Sequence, residues 1–233
     1  RLKPVIVVKS GRNESGTRAA VSHTGALIGG DDVFDAAIQR AGAVRVNTVS
    51  QLFAAAQTLA SGTRVEGPRL AIVTNGGGPG VMAADRASDL NVPLAELMPQ
   101  TIDKLSAALP QHWSHSDPVD ILGDADSARY RTATEIVLAD QNVDGLLVLL
   151  TPQAMTDPTA CAEGVIAASR EINKPVLACW MGANLVKEGR RCFAKAGIPQ
   201  FSSPEAGVDA FGYLACYRRN QKALLQAPPP LSK

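Results

Sequence analysis

From Pro68 onward the chain alternates short apolar runs with longer segments of helical period. The runs are apolar on both faces, most plainly at Leu70–Thr74, at Gly145–Leu150 and at 175–180. A strand apolar on both faces must be covered on both, which is the condition of a parallel sheet with helices wound on either side. The alternation predicts strands at Leu70–Thr74, 93–97, Gly145–Leu150, 175–180 and 198–201. It predicts helices at 80–90, 100–108, 125–139, 158–172, 185–196 and 204–225. The count fits an α/β flavodoxin-like unit, a doubly wound parallel sheet of about five strands spanning 68–226. Residues 63–67 read as a linker, and the prolines within 227–233 as an exit linker that cannot continue a helix.

The first 62 residues are the C-terminal part of a second α/β domain in this reading. The run at 3–9 is a buried-type strand that cannot open a domain alone, so earlier strands are expected to precede it. Residues 10–30 show neither helical nor strand period and are expected to form a long polar loop. Loops of that length inside compact domains are usually functional or disordered. Asp31 and Asp32 are expected to cap a helix over 33–41, followed by a strand at Val44–Val46 and a helix over 50–60.

Two stretches carry candidate chemistry. Ser22-His23-Thr24-Gly25-Ala26 sets one imidazole among small residues, and neutral imidazole is a nucleophile near pH 7 able to take a phosphoryl group. Taken alone, a histidine of this kind is most often a solvent-facing or capping residue. Asn75-Gly76-Gly77-Gly78-Pro79-Gly80 turns a buried strand directly into a helix, which brings backbone N–H groups and the positive end of a helix dipole to an anion. It lacks the Lys-Ser or Lys-Thr of a Walker loop and the GxGxxG spacing of a dinucleotide site. The candidate phosphate-binding residues are therefore Asn75, Gly76, Gly77, Gly78 and Gly80, with His23 as the candidate carrier.

Other features are read more plainly. His112, Trp113 and His115 precede Asp117-Pro118-Val119-Asp120, which reads as a turn and helix cap in preference to a metal site. Tyr217-Arg218-Arg219-Asn220 reads as the polar face of a terminal helix. With 23 Lys and Arg against 22 Asp and Glu, no basic footprint points to nucleic acid or an anionic membrane. No apolar run approaches the roughly 20 residues that cross a bilayer. The four widely spaced cysteines read as reduced thiols, so the expected setting is cytoplasmic.

In this order, the 3–9 strand, the Ser22-His23-Thr24-Gly25-Ala26 loop, the Asp-led helix, the 75–80 turn, Asp117-Pro118-Val119-Asp120 and Tyr217-Arg218-Arg219-Asn220-Gln221 resemble the NDP-forming acyl-CoA synthetases, the superfamily of succinyl-CoA synthetase. The resemblance implies a CoA-binding Rossmann domain, two flavodoxin-like domains and an ATP-grasp domain in the whole enzyme. It implies that His23 takes phosphate from a bound acyl phosphate and passes it to ADP, with Ser22, Thr24 and Gly25 supporting the loop. CoA, ATP/ADP, Mg²⁺ and a small carboxylic acid are then the implied ligands. The CoA-binding and ATP-grasp parts are the implied missing partners, and this segment alone should not turn over. Relatives fused to a protein lysine acetyltransferase, in which this region acts as an acyl-CoA-sensing module, give the alternative implication.

Overall fold

The structure, a computed structural model, describes residues 3–24, 29–170 and 172–225, and of residues 23 and 24 the backbone alone. It divides into two compact units. One ends at Thr63 and takes up the chain again from Tyr213, and the other runs Arg64–Gly212.

In the first unit, β1 (Ile6–Val8) pairs parallel with β2 (Val44–Val46). Between them lie α1 (Glu14–Thr24) and α2 (Asp31–Arg40), and α3 (Val49–Ala60) follows, capped by the Thr48 side chain on the Gln51 N–H. The expected 10–30 loop is therefore largely a helix. Its glycines and hydroxyl residues hide a helical face, but a Glu14–Arg18 ion pair one turn apart and the Ala19-Ala20 step favour one. Asp31 and Asp32 are also not caps. They occupy the first turn of α2, whose N-cap is Gly30. Asp31 instead binds Arg45 on β2 through both carboxylate oxygens and takes Lys9 Nζ at 3.1 Å. The hydrogen bond from Arg45 foremost holds the Asp31 carboxyl below its ordinary range, and Lys9 acts in the same direction.

The second unit holds a five-stranded, all-parallel sheet in the order β4-β3-β5-β6-β7. Its strands are β3 (Leu70–Thr74), β4 (Val119–Asp120), β5 (Gly145–Leu150), β6 (Val176–Trp180) and β7 (Gln200–Phe201). Numbered within the unit this is 2-1-3-4-5, the flavodoxin-like order. Its helices are α4 (Gly77–Asp89), α5 (Pro99–Ala108), α6 (Ser127–Leu138), α7 (Pro158–Ser169) and α8 (Lys187–Ala196). The last helix, α9 (Pro204–Leu224), starts in this unit and ends in the first. Every residue of β3, β5 and β6 is buried, as strands covered on both faces must be. Trp180 anchors one layer, edge-on to Phe193 at 4.5 Å and donating its indole N–H to Pro158 O.

The expected strand at 93–97 is reduced to a single bridge between Leu94 and Leu70, and the second strand of the sheet is the two-residue β4. Proline at 93 has no N–H to donate to a ladder. Leu70 donates to Pro93 O, Ala95 donates to Leu70 O, and further along Ile121 donates to Thr74 O. Between these two pieces the Ile72 N–H is met by a side chain, Asp117 Oδ1 at 2.8 Å. Asp117 is thus a filler in the sheet edge and not a helix cap. Burial pushes its carboxyl up to about 7, against the pull of the Ile72 and Ala95 amides, and Oδ2 has no partner.

The second compact unit ends at Gly212. Past it, α9 packs on the first unit, where buried Asn220 donates to Ala43 O at 2.8 Å and Tyr217 is also buried. Within the 217–220 cluster Tyr217 and Asn220 are thus packed, while Arg219 is exposed. Residues 227–233 lie outside the described residues. Among the described residues, no helix is long and apolar enough to cross a membrane.

Candidate functional site

The 75–80 turn lies at the carboxyl end of β3, beside β5, where the strand order reverses and open α/β sheets bind their ligands. Thr74 ends the strand by closing a small turn. Its hydroxyl accepts from Gly76 N at 3.1 Å and donates to Gly76 O at 2.9 Å. Asn75, 2% exposed, ties the ends of β3 and β5 together: Oδ1 accepts from Thr151 N and Nδ2 donates to Thr151 O. Both ends of its side chain are used in this way, so Asn75 braces the turn. Asn75→Ala should strip both partners from the half-buried Thr151 backbone and cost about 1–3 kcal/mol. Urea unfolding of the variant measures this, and a change below about 0.5 kcal/mol would remove the bracing role.

Helix α4 then starts on Gly76, which has no side chain to cap it. The first N–H groups of a helix find no acceptor inside it, and here Pro79 contributes none at all. Some helices of the chain meet this need from their own sequence, whereas α2, starting on Gly30, and α8, starting on Val186, also lack a side-chain cap. Thr48 caps α3, Asp126 caps α6, and Asp157 caps α7 through two amides. Helix α5 borrows Asp140, whose Oδ2 accepts from Met98 N. Gly77 and Gly78, the first residues of α4, are exposed.

The glycines of the turn are required for different reasons. A Cβ at Gly76 would meet Thr151 Oγ1 at 3.2 Å, and one at Gly80 would meet Thr74 Cγ2 at 3.1 Å with Pro118 behind it at 3.5 Å. At Gly77 it would meet Asp120 Oδ2 at 3.2 Å, whereas at Gly78 nothing lies within 4 Å. Gly78 therefore has no packing need for its small size, and the open space beside it is where a ligand would approach the α4 amides. The Asp117–Asp120 segment forms the opposite wall, clipped by the Ser114 hydroxyl, which donates to Pro118 O and accepts from Asp120 N. Sequence reasoning missed that wall because its parts, a serine, a proline and two aspartates, have no periodic signal.

His23 lies in the last turn of α1, by its backbone. Its side chain, that of Thr24, and all of Gly25 are outside the described residues. Ser22 is exposed, with its hydroxyl donating to Ala19 O at 2.7 Å. Of the other candidates, Trp113 is buried and His115 Nε2 lies 3.0 Å from Gln111 O. Among the described residues no group of three His, Cys, Asp or Glu is arranged to hold a metal ion. The four cysteines are free. Burial pushes the Cys161 and Cys179 thiols up to about 12, which leaves them inert.

Comparison with known proteins bears on both units. Residues 1–59 match the family model described as succinyl-CoA ligase like flavodoxin domain, and residues 70–225 match that described as Ligase-CoA domain. The chain is 40% identical over 219 residues to acetate–CoA ligase [ADP-forming] I of Archaeoglobus fulgidus, a match covering 94% of this chain and 31% of that protein. It is 39% identical over 208 residues to acetate–CoA ligase [ADP-forming] II subunit alpha of Pyrococcus furiosus, covering 87% of this chain and 45% of that one. Among solved structures, dinucleotide-forming acetyl-coenzyme A synthetase 1 of Ca. Korarchaeum cryptofilum, in complex with phosphate and ADP, matches with a TM-score of 0.86. The identity there is 32%, over 97% of this chain and 50% of that one. The chain thus spans between about a third and a half of the length of these relatives.

Proposed function

Because the chain belongs to the ADP-forming acyl-CoA synthetases, we propose that it is the phosphate-handling part of such a ligase. The whole protein would interconvert acyl-CoA, ADP and phosphate with a carboxylic acid, CoA and ATP. His23 takes up the phosphoryl group, and the start of α4 is a station that holds phosphate through the Gly77 and Gly78 amides. The observation that carries this is the start of α4, without a side-chain cap, at the carboxyl end of β3 and with open space beside Gly78. A helix start of this kind favours a dianion without any lysine.

In this reading Asn75, Gly76 and Gly80 shape the turn, and Ser22, Thr24 and Gly25 support the segment that carries His23. The residues present fit a phosphate. CoA, ATP/ADP and the Mg²⁺ that accompanies the nucleotide fall to further domains or subunits, a division supported by the relative named as an alpha subunit. The acid is small and carboxylic, by likeness to the acetate ligases. Free thiols at all four cysteines suit the reducing cytoplasm, where we place the enzyme.

Incubating the full-length enzyme with γ-labelled ATP and Mg²⁺ should put label on this chain that is lost in acid and kept in alkali, the behaviour of a phosphoramidate. A chain that stays unlabelled while the enzyme turns over would count against the reading.

A further inference from the structure

The first unit has a cavity of about 510 Å³ at the carboxyl ends of β1 and β2. That volume lies within the range of small-molecule sites and far exceeds the roughly 30 Å³ of one water. Its charged lining is entirely cationic, Lys9 and Arg12, with no aspartate or glutamate on the wall. The acidic residue closest in sequence, Glu14, is drawn away by Arg18 at 2.6 Å. Lys9 shares its charge with Asp31, but Arg12 is held only by a neutral amide, donating to Asn47 Oδ1 at 2.7 Å. No carboxylate pairs with Arg12 among the described residues.

Hydroxyls of Ser10, Ser15 and Thr48 complete a polar wall. The backbone at the cavity is also drawn in close. Gly11 sits at φ +70°, and a Cβ on Gly16 would come within 3.3 Å of Gly11 Cα. A guanidinium kept in place and left without a counter-ion is suited to two-pronged binding of a tetrahedral oxyanion.

We propose that this cavity binds a phosphate-type oxyanion, separately from the station at α4. The anion is either free phosphate or the phosphate end of a larger cofactor, and the cavity has room for the second. This goes beyond the relay described above and gives residues 9–16 a role that the relay does not use.

The test is equilibrium binding of inorganic phosphate, ADP and CoA to the full-length enzyme, in the wild type and in Gly78→Asp, which sets a carboxylate against the α4 station alone. In the Gly78→Asp background, Arg12→Gln should weaken binding at the cavity about tenfold, Arg12→Lys only a few-fold, and Ser15→Glu should abolish the cavity's share, leaving ADP and CoA the affinity that further domains give them. Both positions are exposed, and Ser15→Glu keeps the test decisive should Arg12→Gln fail to fold. Loss of phosphate binding identifies the free ion, and loss confined to ADP or CoA identifies a cofactor-borne phosphate. Affinities for all three probes unmoved by Arg12→Gln and Ser15→Glu overturn the cavity site. An effect of Gly78→Asp in that case leaves the α4 station standing, and no effect of Gly78→Asp sinks the station while leaving the cavity to its own variants.

Discussion

His23→Asn should leave the full-length enzyme without acid-labile label from ATP, a fall on the order of a thousandfold or more, as expected when a covalent nucleophile is removed. Neutral imidazole has a lone pair available near pH 7, whereas a carboxamide nitrogen has none to give. Asparagine is also tolerated near helix ends, and the backbone at position 23 lies in the last turn of α1, so melting temperature should not change. The neighbouring hydroxyl does not blur the result. Ser22 is occupied with Ala19 O, and a phosphoserine ester would survive acid. Wild-type levels of acid-labile label in His23→Asn would move the carrier role to another residue.

Asp117→Asn should stabilise the protein at pH 8 by about 2–4 kcal/mol and remove most of the slope of stability between pH 5 and 8. The sign follows from a folded-state pKa of about 7 against an ordinary 3.8. Below about pH 4 the carboxyl is protonated in both folded and unfolded chains, and its contribution is fully present. As pH rises toward 7 the unfolded chain releases the proton and the folded one holds it. Stability falls over that window, and the loss is complete once the buried group is forced to ionise. Asparagine keeps an acceptor for Ile72 N–H and carries no charge. Denaturant melts at pH 5 and pH 8 measure the effect. A variant that is weaker than wild type at pH 8, or that keeps the wild-type slope, would show that Asp117 is not the group responsible.

The sheet was legible where burial alone decides it. Leu70–Thr74 and Gly145–Leu150 are strands at the residues expected, because uninterrupted apolar runs have no other way to be covered on both faces. The glycine turn was legible for a local reason, as glycines and a proline directly after an apolar strand, although the room they leave for Thr151 and Asp120 was not. What stayed hidden depends on contacts distant in sequence. Asp117 reads as a cap until Ile72, 45 residues away, is seen to lack a strand partner. Asp31 reads as a cap until Arg45 is seen on β2. The bracing role of Asn75 shows only once Thr151 is seen bonded to both ends of its amide. Helix α1 escaped because its support is one ion pair and a few alanines among residues of low helical propensity.

The broken second strand has a further consequence for the life of the chain in a crowded solution. A continuous outer strand would display a row of unpaired amides and carbonyls on which another molecule's strand could grow. Here the neighbour of β3 comes in pieces, a single bridge at Leu94, one carboxylate at Asp117 and two residues of β4. Such an edge offers no run of backbone long enough to template a foreign strand. Asp117, which costs stability at neutral pH, is at the same time part of what keeps this side of the sheet from recruiting copies of itself into aggregates.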